Sequence, residues 1–200
     1  AALITDMDTP LGYAIGNALE VMEAVQTLHG TGPEDLTQVS LSLAAGMLSL
    51  AGKGSFEHCF ELAKEKLYDG SAFEKLKEIT LGQGGDISYL ECPKKFSLSP
   101  FQMEILSPSE GYLAHIDTLS CGLASMLLGA GRQKKEDKID AGAGILLLKT
   151  VGDFVHKGDP IARFYCQSQS QAFAAREEFQ FTISSEKPKG RTLILQKIGF

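Results

Sequence analysis

The sequence predicts a chain of mixed class, α/β plus α+β: the terminal strand and helical layer of a larger α/β domain, followed by a separate α+β domain. Three observations predict this. A short apolar run opens the chain, helical periodicity then holds from Asn17 to about Gly85, and beyond Pro100 the texture changes to short β-branched and aromatic runs.

Ala1-Ala2-Leu3-Ile4-Thr5 reads as a buried strand running into the turn-forming Asp6-Met7-Asp8-Thr9-Pro10. Only helical pattern follows it, so the partner strands of Leu3 and Ile4 are expected upstream of residue 1. Asn17-x-x-Glu20 has the form of a capping box and starts a helix that reaches Leu28 and stops near Gly30. Pro33, Glu34 and Asp35 have the residue order of a first helical turn. Leu36, Val39, Leu43, Met47 and Leu50 then recur at helical spacing and are expected to form a core face. Ser55 can cap a third helix to Tyr68, and Ser71-x-x-Glu74 a fourth ending by Gly82. Between Asp86 and Pro100 the periodicity fades into a Pro-, Ser- and Lys-containing stretch suited to a surface connection. This divides the chain into 1–85, a linker over 86–100, and a second domain over 101–200. In the second domain strands are expected at Met103 to Leu106, Gly111 to Ile116, Ile145 to Lys149, Pro160 to Tyr165 and Arg191 to Ile198. Helices are expected at about Thr118 to Leu128 and Gln169 to Glu178.

Composition narrows the function classes. The chain is 44% hydrophobic over 200 residues, enough for a sizeable core. Its 19 basic against 25 acidic residues give a net charge of −6, which argues against nucleic acid or an anionic membrane as the main partner, since both attract basic patches. Cys59, Cys92, Cys121 and Cys166 are too far apart for C-x-x-C zinc or redox chemistry and read as reduced thiols of a cytoplasmic protein. No apolar run is long enough to span a bilayer. His29, His58, His115 and His156 are scattered, without metal-ligand or triad spacing, and read as structural or exposed. Gly129-Ala130-Gly131-Arg132 with Lys134 and Lys135 could cradle an anion, but a helix stop at Gly129 and a solvated basic loop explain the same residues. Asp6 and Asp8 follow a strand, where α/β ligand sites often lie, though turn roles suit them equally.

Ser109 to Ile116 and Val151 to Ala162 echo each other, each a tight turn feeding a short alternating strand. The second resembles the V-G-D-x-V-x-K-G signature of biotinyl and lipoyl carrier domains, which implies a barrel-sandwich-hybrid-like architecture for the α+β domain. A modified carrier is therefore one alternative function, and a non-catalytic interaction protein another. Against the carrier, the Met-Lys-Met hairpin that would bear biotin is missing.

Four blocks together resemble the pyrimidine-nucleoside phosphorylase and thymidine phosphorylase family. They are Ala2 to Gly12 (ALITDMDTPLG), Gly16 to Val21 with Glu23-Ala24, Leu128 to Arg132 with Lys135-Glu136-Asp137 and Ile139-Asp140, and Val151-Gly152-Asp153 with Lys157-Gly158. Their order and spacing match as well, and the similarity covers essentially the whole chain. The resemblance implies a cytoplasmic pentosyltransferase, homodimeric as a complete enzyme. It converts a pyrimidine nucleoside and inorganic phosphate to the free base and a pentose 1-phosphate. It further implies that this chain corresponds to the C-terminal portion. The family's phosphate loop and its base-holding Ser-Gly-Arg motif have no counterpart among residues 1–200, so no catalytic or cofactor-binding residue carries over and the chain alone is expected to be inactive. One element does carry over: a potassium site, implied at the carbonyl oxygens of Leu11 and Ala14 and the carboxylate of Glu23. Hard cations take oxygen ligands, and turn backbone offers carbonyls. Such a site requires the helix to start after Ala14, because an unbroken helix would separate Ala14 and Glu23 by about 13 Å of rise. Further ligands would come from upstream, so cation binding by this chain alone is expected to be weak or absent.

Overall fold

The computed structural model describes residues 1–132 and 134–200. In chain order the elements are β1 (Ala2–Thr5), β2 (Ala14–Ile15), α1 (Asn17–Leu28), α2 (Glu34–Leu50), α3 (Phe56–Tyr68), α4 (Ser71–Gly82), α5 (Ser88–Glu91), a 3-10 turn (Pro93–Lys95), β3 (Phe101–Leu106), β4 (Gly111–Ile116), α6 (Thr118–Leu128), β5 (Gly144–Leu147), β6 (Phe154–Val155), β7 (Pro160–Cys166), α7 (Gln169–Glu178), β8 (Phe181–Ser184) and β9 (Ile194–Ile198). They form two compact units. The first takes in Ala1–Asp6, Met22–Lys95 and Thr192–Phe200, the second Met7–Val21 and Phe96–Arg191. Both units are thus built from segments far apart in sequence.

In the first unit Ser55 caps α3, its hydroxyl accepting from the His58 N–H, and Gly52 and Gly70 supply the left-handed turns between helices. Ser71 is the first residue of α4 rather than its cap. Asp69 takes the reciprocal role, accepting from the Ser71 N–H at 2.8 Å. The apolar period read along α2 does not mark its buried face. Leu43, Met47 and Leu50 are 49%, 67% and 64% exposed, and the helix packs instead through Leu41, Ser42, Ala45 and Gly46. Small residues let neighbouring chain approach closely: a Cβ on Gly46 would meet the Phe200 ring at 2.9 Å. Val25, Phe73 and Leu90 make one core cluster, so the stretch read as a surface connection contributes a buried leucine. Ala45, Phe56 and Cys59 make another, with Leu3 against it.

The opening strand also departs from expectation. β1 pairs antiparallel with β9, Ala2 opposite Ile198 and Leu3 opposite Lys197. Its partner lies at the other end of the chain, and strand pairing over so long a separation leaves no local trace in sequence.

The second unit is α+β. Its four-stranded sheet has the order β2-β5-β7-β3 and its three-stranded sheet the order β6-β4-β8, all pairs antiparallel. Leu113, Ile116 and Val155 of the smaller sheet share a single core with Ile145, Ile161 and Phe164 of the larger. α6 and α7 add Cys121, Ala124, Leu128, Ala172 and Ala175 to it. The echoing segments pair with each other, Gly111 opposite Val155 and Tyr112 opposite Phe154. Asp117 caps α6 by accepting from the Ser120 N–H at 2.6 Å, and left-handed Gly129 (φ 107°) ends it.

Candidate functional site

α1 begins at Asn17, after Gly16 with φ 133°, so Ala14 lies in β2 and not in the helix. The capping arrangement is shifted by one residue from the sequence reading. Glu20 accepts from the Gly16 N–H at 2.9 Å, and the Asn17 amide donates to the Ala130 carbonyl at 3.0 Å. Leu11 precedes Gly12, whose left-handed φ of 70° turns the chain. The Tyr13 carbonyl accepts from the Leu147 N–H at 2.8 Å, and Ala14 stands opposite Leu146. Antiparallel alternation therefore aims the Ala14 carbonyl away from β5, on the edge of the sheet.

Glu23 is 7% exposed, so its side chain is buried rather than facing solvent. A buried carboxylate must be hydrogen-bonded, paired or bound to a cation. Leu11 and Ala14 belong to one unit and Glu23 to the other. Two carbonyls and a carboxylate are donors that suit a hard monovalent cation. Among the described residues no group of three or more His, Cys, Asp or Glu side chains could hold a metal.

Each unit holds a cavity among its described residues. In the first unit an apolar space of about 320 Å³ lies among α1 to α4, lined by Leu28, Leu36, Leu41, Ala44, Ala63 and Leu67 among others. The hydroxyls of Thr27 and Thr37 on its wall donate to the Glu23 and Pro33 carbonyls, which leaves their methyls for the space. In the second unit a smaller cavity of about 170 Å³ lies between the start of α1 and the end of α6, lined by Gly16, Asn17, Glu20, Ser125, Ala130 and Gly131.

A polar cluster that leaves no motif in the sequence surrounds Asp140. One carboxylate oxygen accepts from Ser99 Oγ at 2.6 Å and from Gln167 Nε2 at 2.7 Å, and the other from the Gly142 N–H at 2.9 Å. Burial pushes this carboxyl up, but the hydrogen bonds from Ser99, Gln167 and Gly142 outweigh it and hold it below the usual range. Ser99 and Gln167 lie 41 and 27 residues from Asp140, so no local motif announces them.

The remaining candidates take bland positions. Gly129 is the helix stop expected of it. His29 hydrogen-bonds the Val25 carbonyl and packs its ring at a tilt against Phe73, and His156 lies beside Asp159 on the surface. Cys59, Cys121 and Cys166 are buried and Cys92 is exposed, all as free thiols. Burial, with Asp117 adding to it, pushes the Cys121 thiol up to about 12.

Comparison with known proteins fits this architecture. A family model described as pyrimidine nucleoside phosphorylase C-terminal domain matches residues 112–186, which takes in the turn-strand-turn that alone suggested a carrier domain. Pyrimidine-nucleoside phosphorylases of Staphylococcus haemolyticus and Bacillus subtilis are each 43% identical over 170 residues, covering 84% of this chain and 39% of the relative. That of Geobacillus stearothermophilus is 39% identical over 200 residues, 99% of this chain and 46% of the relative. The chain thus spans less than half the length of these curated relatives. No described helix is long and apolar enough to cross a membrane. The chain belongs to the pyrimidine-nucleoside phosphorylase family and corresponds to its C-terminal portion.

Proposed function

We propose that the chain is the C-terminal part of a pentosyltransferase that converts a pyrimidine nucleoside and inorganic phosphate to the free base and pentose 1-phosphate, and that it does not perform this reaction alone. The observation that carries the proposal is the match itself, in which 99% of this chain aligns with 46% of a pyrimidine-nucleoside phosphorylase. The chemistry supports the second half. A departing base leaves an oxocarbenium-like sugar that a phosphate anion must meet, and positioned cations and donors have to stabilise that developing charge. Residues 1–200 contain no counterpart of the phosphate loop or the base-holding Ser-Gly-Arg motif. On this reading residues 1–85 belong to the α/β domain, 86–100 link the parts, and 101–200 form the C-terminal domain.

The same reading assigns a potassium site to the carbonyls of Leu11 and Ala14 and the carboxylate of Glu23. The oxygen donor set, the edge-facing Ala14 carbonyl and the burial of Glu23 support it. When bound, the ion would supply a fixed positive charge beside the start of α1. The chain's own residues supply the turn at Gly12 and the late helix start, which keep Leu11 and Ala14 out of α1. A cytoplasmic homodimer is the proposed working form. The experiment is phosphorolysis of uridine and thymidine by the chain alone and by the chain joined to the upstream part of a relative. Turnover only in the joined form is expected. Thermal melts of the chain alone should show no strong potassium-dependent stabilisation.

A further inference from the structure

The chain leaves α6 at Gly129 and is back at the same point at Asp140, whose N–H donates to the Gly129 carbonyl at 2.9 Å. A surface loop whose ends meet in this way is an Ω-loop. Its base is tied on both sides. The carbonyl of Ala130, on the outgoing side, accepts from the Asn17 amide. The returning side is held by Asp140, whose carboxylate gathers Ser99, Gln167 and the Gly142 N–H, and by the Ser99 N–H donating to the Gly142 carbonyl at 2.9 Å. Gly142 sits so close to the 97–99 segment that a Cβ there would lie 2.5 Å from the Ser97 carbonyl. The chain between these ties carries Arg132, Lys134, Lys135 and Lys138, all exposed.

We propose that Asp140 is a latch: its carboxylate cross-links the base of the 129–140 loop to the chain before β3 and after β7, and the loop opens as a unit when that carboxylate is removed. The Asp140 carboxylate takes the two short side-chain bonds that join these segments, 2.6 Å from Ser99 and 2.7 Å from Gln167. Ser99 and Gln167 are 68 residues apart and meet chiefly through their shared acceptor, since their mutual contact is a long 3.4 Å. Each donor is charge-assisted and therefore of the stronger class of hydrogen bond. Losing the acceptor also leaves the Gly142 N–H facing no carboxylate.

The basic tip makes the test direct, since trypsin cleaves after Arg132, Lys134, Lys135 and Lys138. Asp140→Ala should raise the rate of cleavage within 132–138 at least tenfold over wild type, while cleavage after exposed Lys189 stays unchanged. A Ser99→Ala/Gln167→Ala double variant, which keeps the carboxylate but removes two donors, should do the same. Equal loop cleavage in wild type and Asp140→Ala overturns the proposal. Should that variant fail to fold, amide exchange in the wild type decides. The Asp140 and Gly142 amides should exchange at least tenfold more slowly than those of Lys135 and Glu136, and equal rates overturn the latch.

Discussion

Gly144 opens β5 where the edge strand β2 lies against it, and its replacement by alanine tests whether that close approach organises the second unit. Two costs add. Gly144 has φ 150°, in the region that L side chains rarely adopt, which costs about 1–2 kcal/mol. The added methyl would also lie 2.2 Å from the Ile15 carbonyl oxygen and 3.1 Å from both Gly16 Cα and Leu19 Cδ1. The nearest obstacle is backbone, so β2 must move off β5, an overpacking cost of about 1–3 kcal/mol. Together Gly144→Ala should destabilise this unit by about 3 kcal/mol and lower its melting transition by roughly 10 °C. Two controls separate the terms. Gly158→Ala, at φ 92° with nothing within 4 Å, should show only the smaller backbone cost. Gly122→Ala, within α6 and also in open space, should stabilise by about 0.5–1 kcal/mol through helix propensity. Thermal melts followed by circular dichroism measure all three. A Gly144→Ala transition within about 2 °C of wild type, which corresponds to well under 1 kcal/mol, would refute the packing argument.

Filling the first unit's apolar cavity with Ala63→Leu should stabilise it by about 0.5–2 kcal/mol in denaturant titrations, since the wall is mostly aliphatic and the Thr27 and Thr37 hydroxyls on it are already bonded to helix carbonyls. The Asp140 carboxyl titrates below its unfolded value, so its contribution is present above the unfolded pKa near 3.8 and is lost as pH falls through the lower folded value. Melting temperature should therefore drop more steeply below about pH 4 in wild type than in Asp140→Asn. Under native conditions a thiol reagent should label exposed Cys92 rapidly and leave Cys121, whose thiol is pushed up to about 12, untouched until unfolding. Labelling of Cys121 at the rate of Cys92 would contradict its burial.

Elements that carry their own signal were legible. The α3 cap at Ser55, the stop of α6 at Gly129 and the strand Gly111–Ile116 are local matters of side chain and backbone, and they lie where residue order puts them. Nonlocal pairing was not legible. β1 finds β9 across nearly the whole chain, and nothing within Ala2–Thr5 distinguishes that partner from an upstream one. Two-residue β2 and β6 are too short for any periodicity, and β8 follows α7 with too little alternation to register. The α2 stripe misled because periodicity reports which residues share a face, while packing through Ala45 and Gly46 decides which face is covered. Of the candidate site, the late start of α1 followed from Gly16 and Asn17, whereas the burial of Glu23 depends on neighbours that sequence spacing does not order. The Asp140 cluster depends on three segments meeting and could be found only in three dimensions.

The central claim is that this chain supplies one part of a pyrimidine-nucleoside phosphorylase and that the anion- and base-gripping part lies in other sequence. Release of uracil or thymine from nucleoside and phosphate, followed by ultraviolet absorbance, tests it most directly. The account predicts no phosphate-dependent release by the 200-residue chain and clear release once the upstream part of a relative is joined to it. Phosphate-dependent release by the chain alone would contradict it.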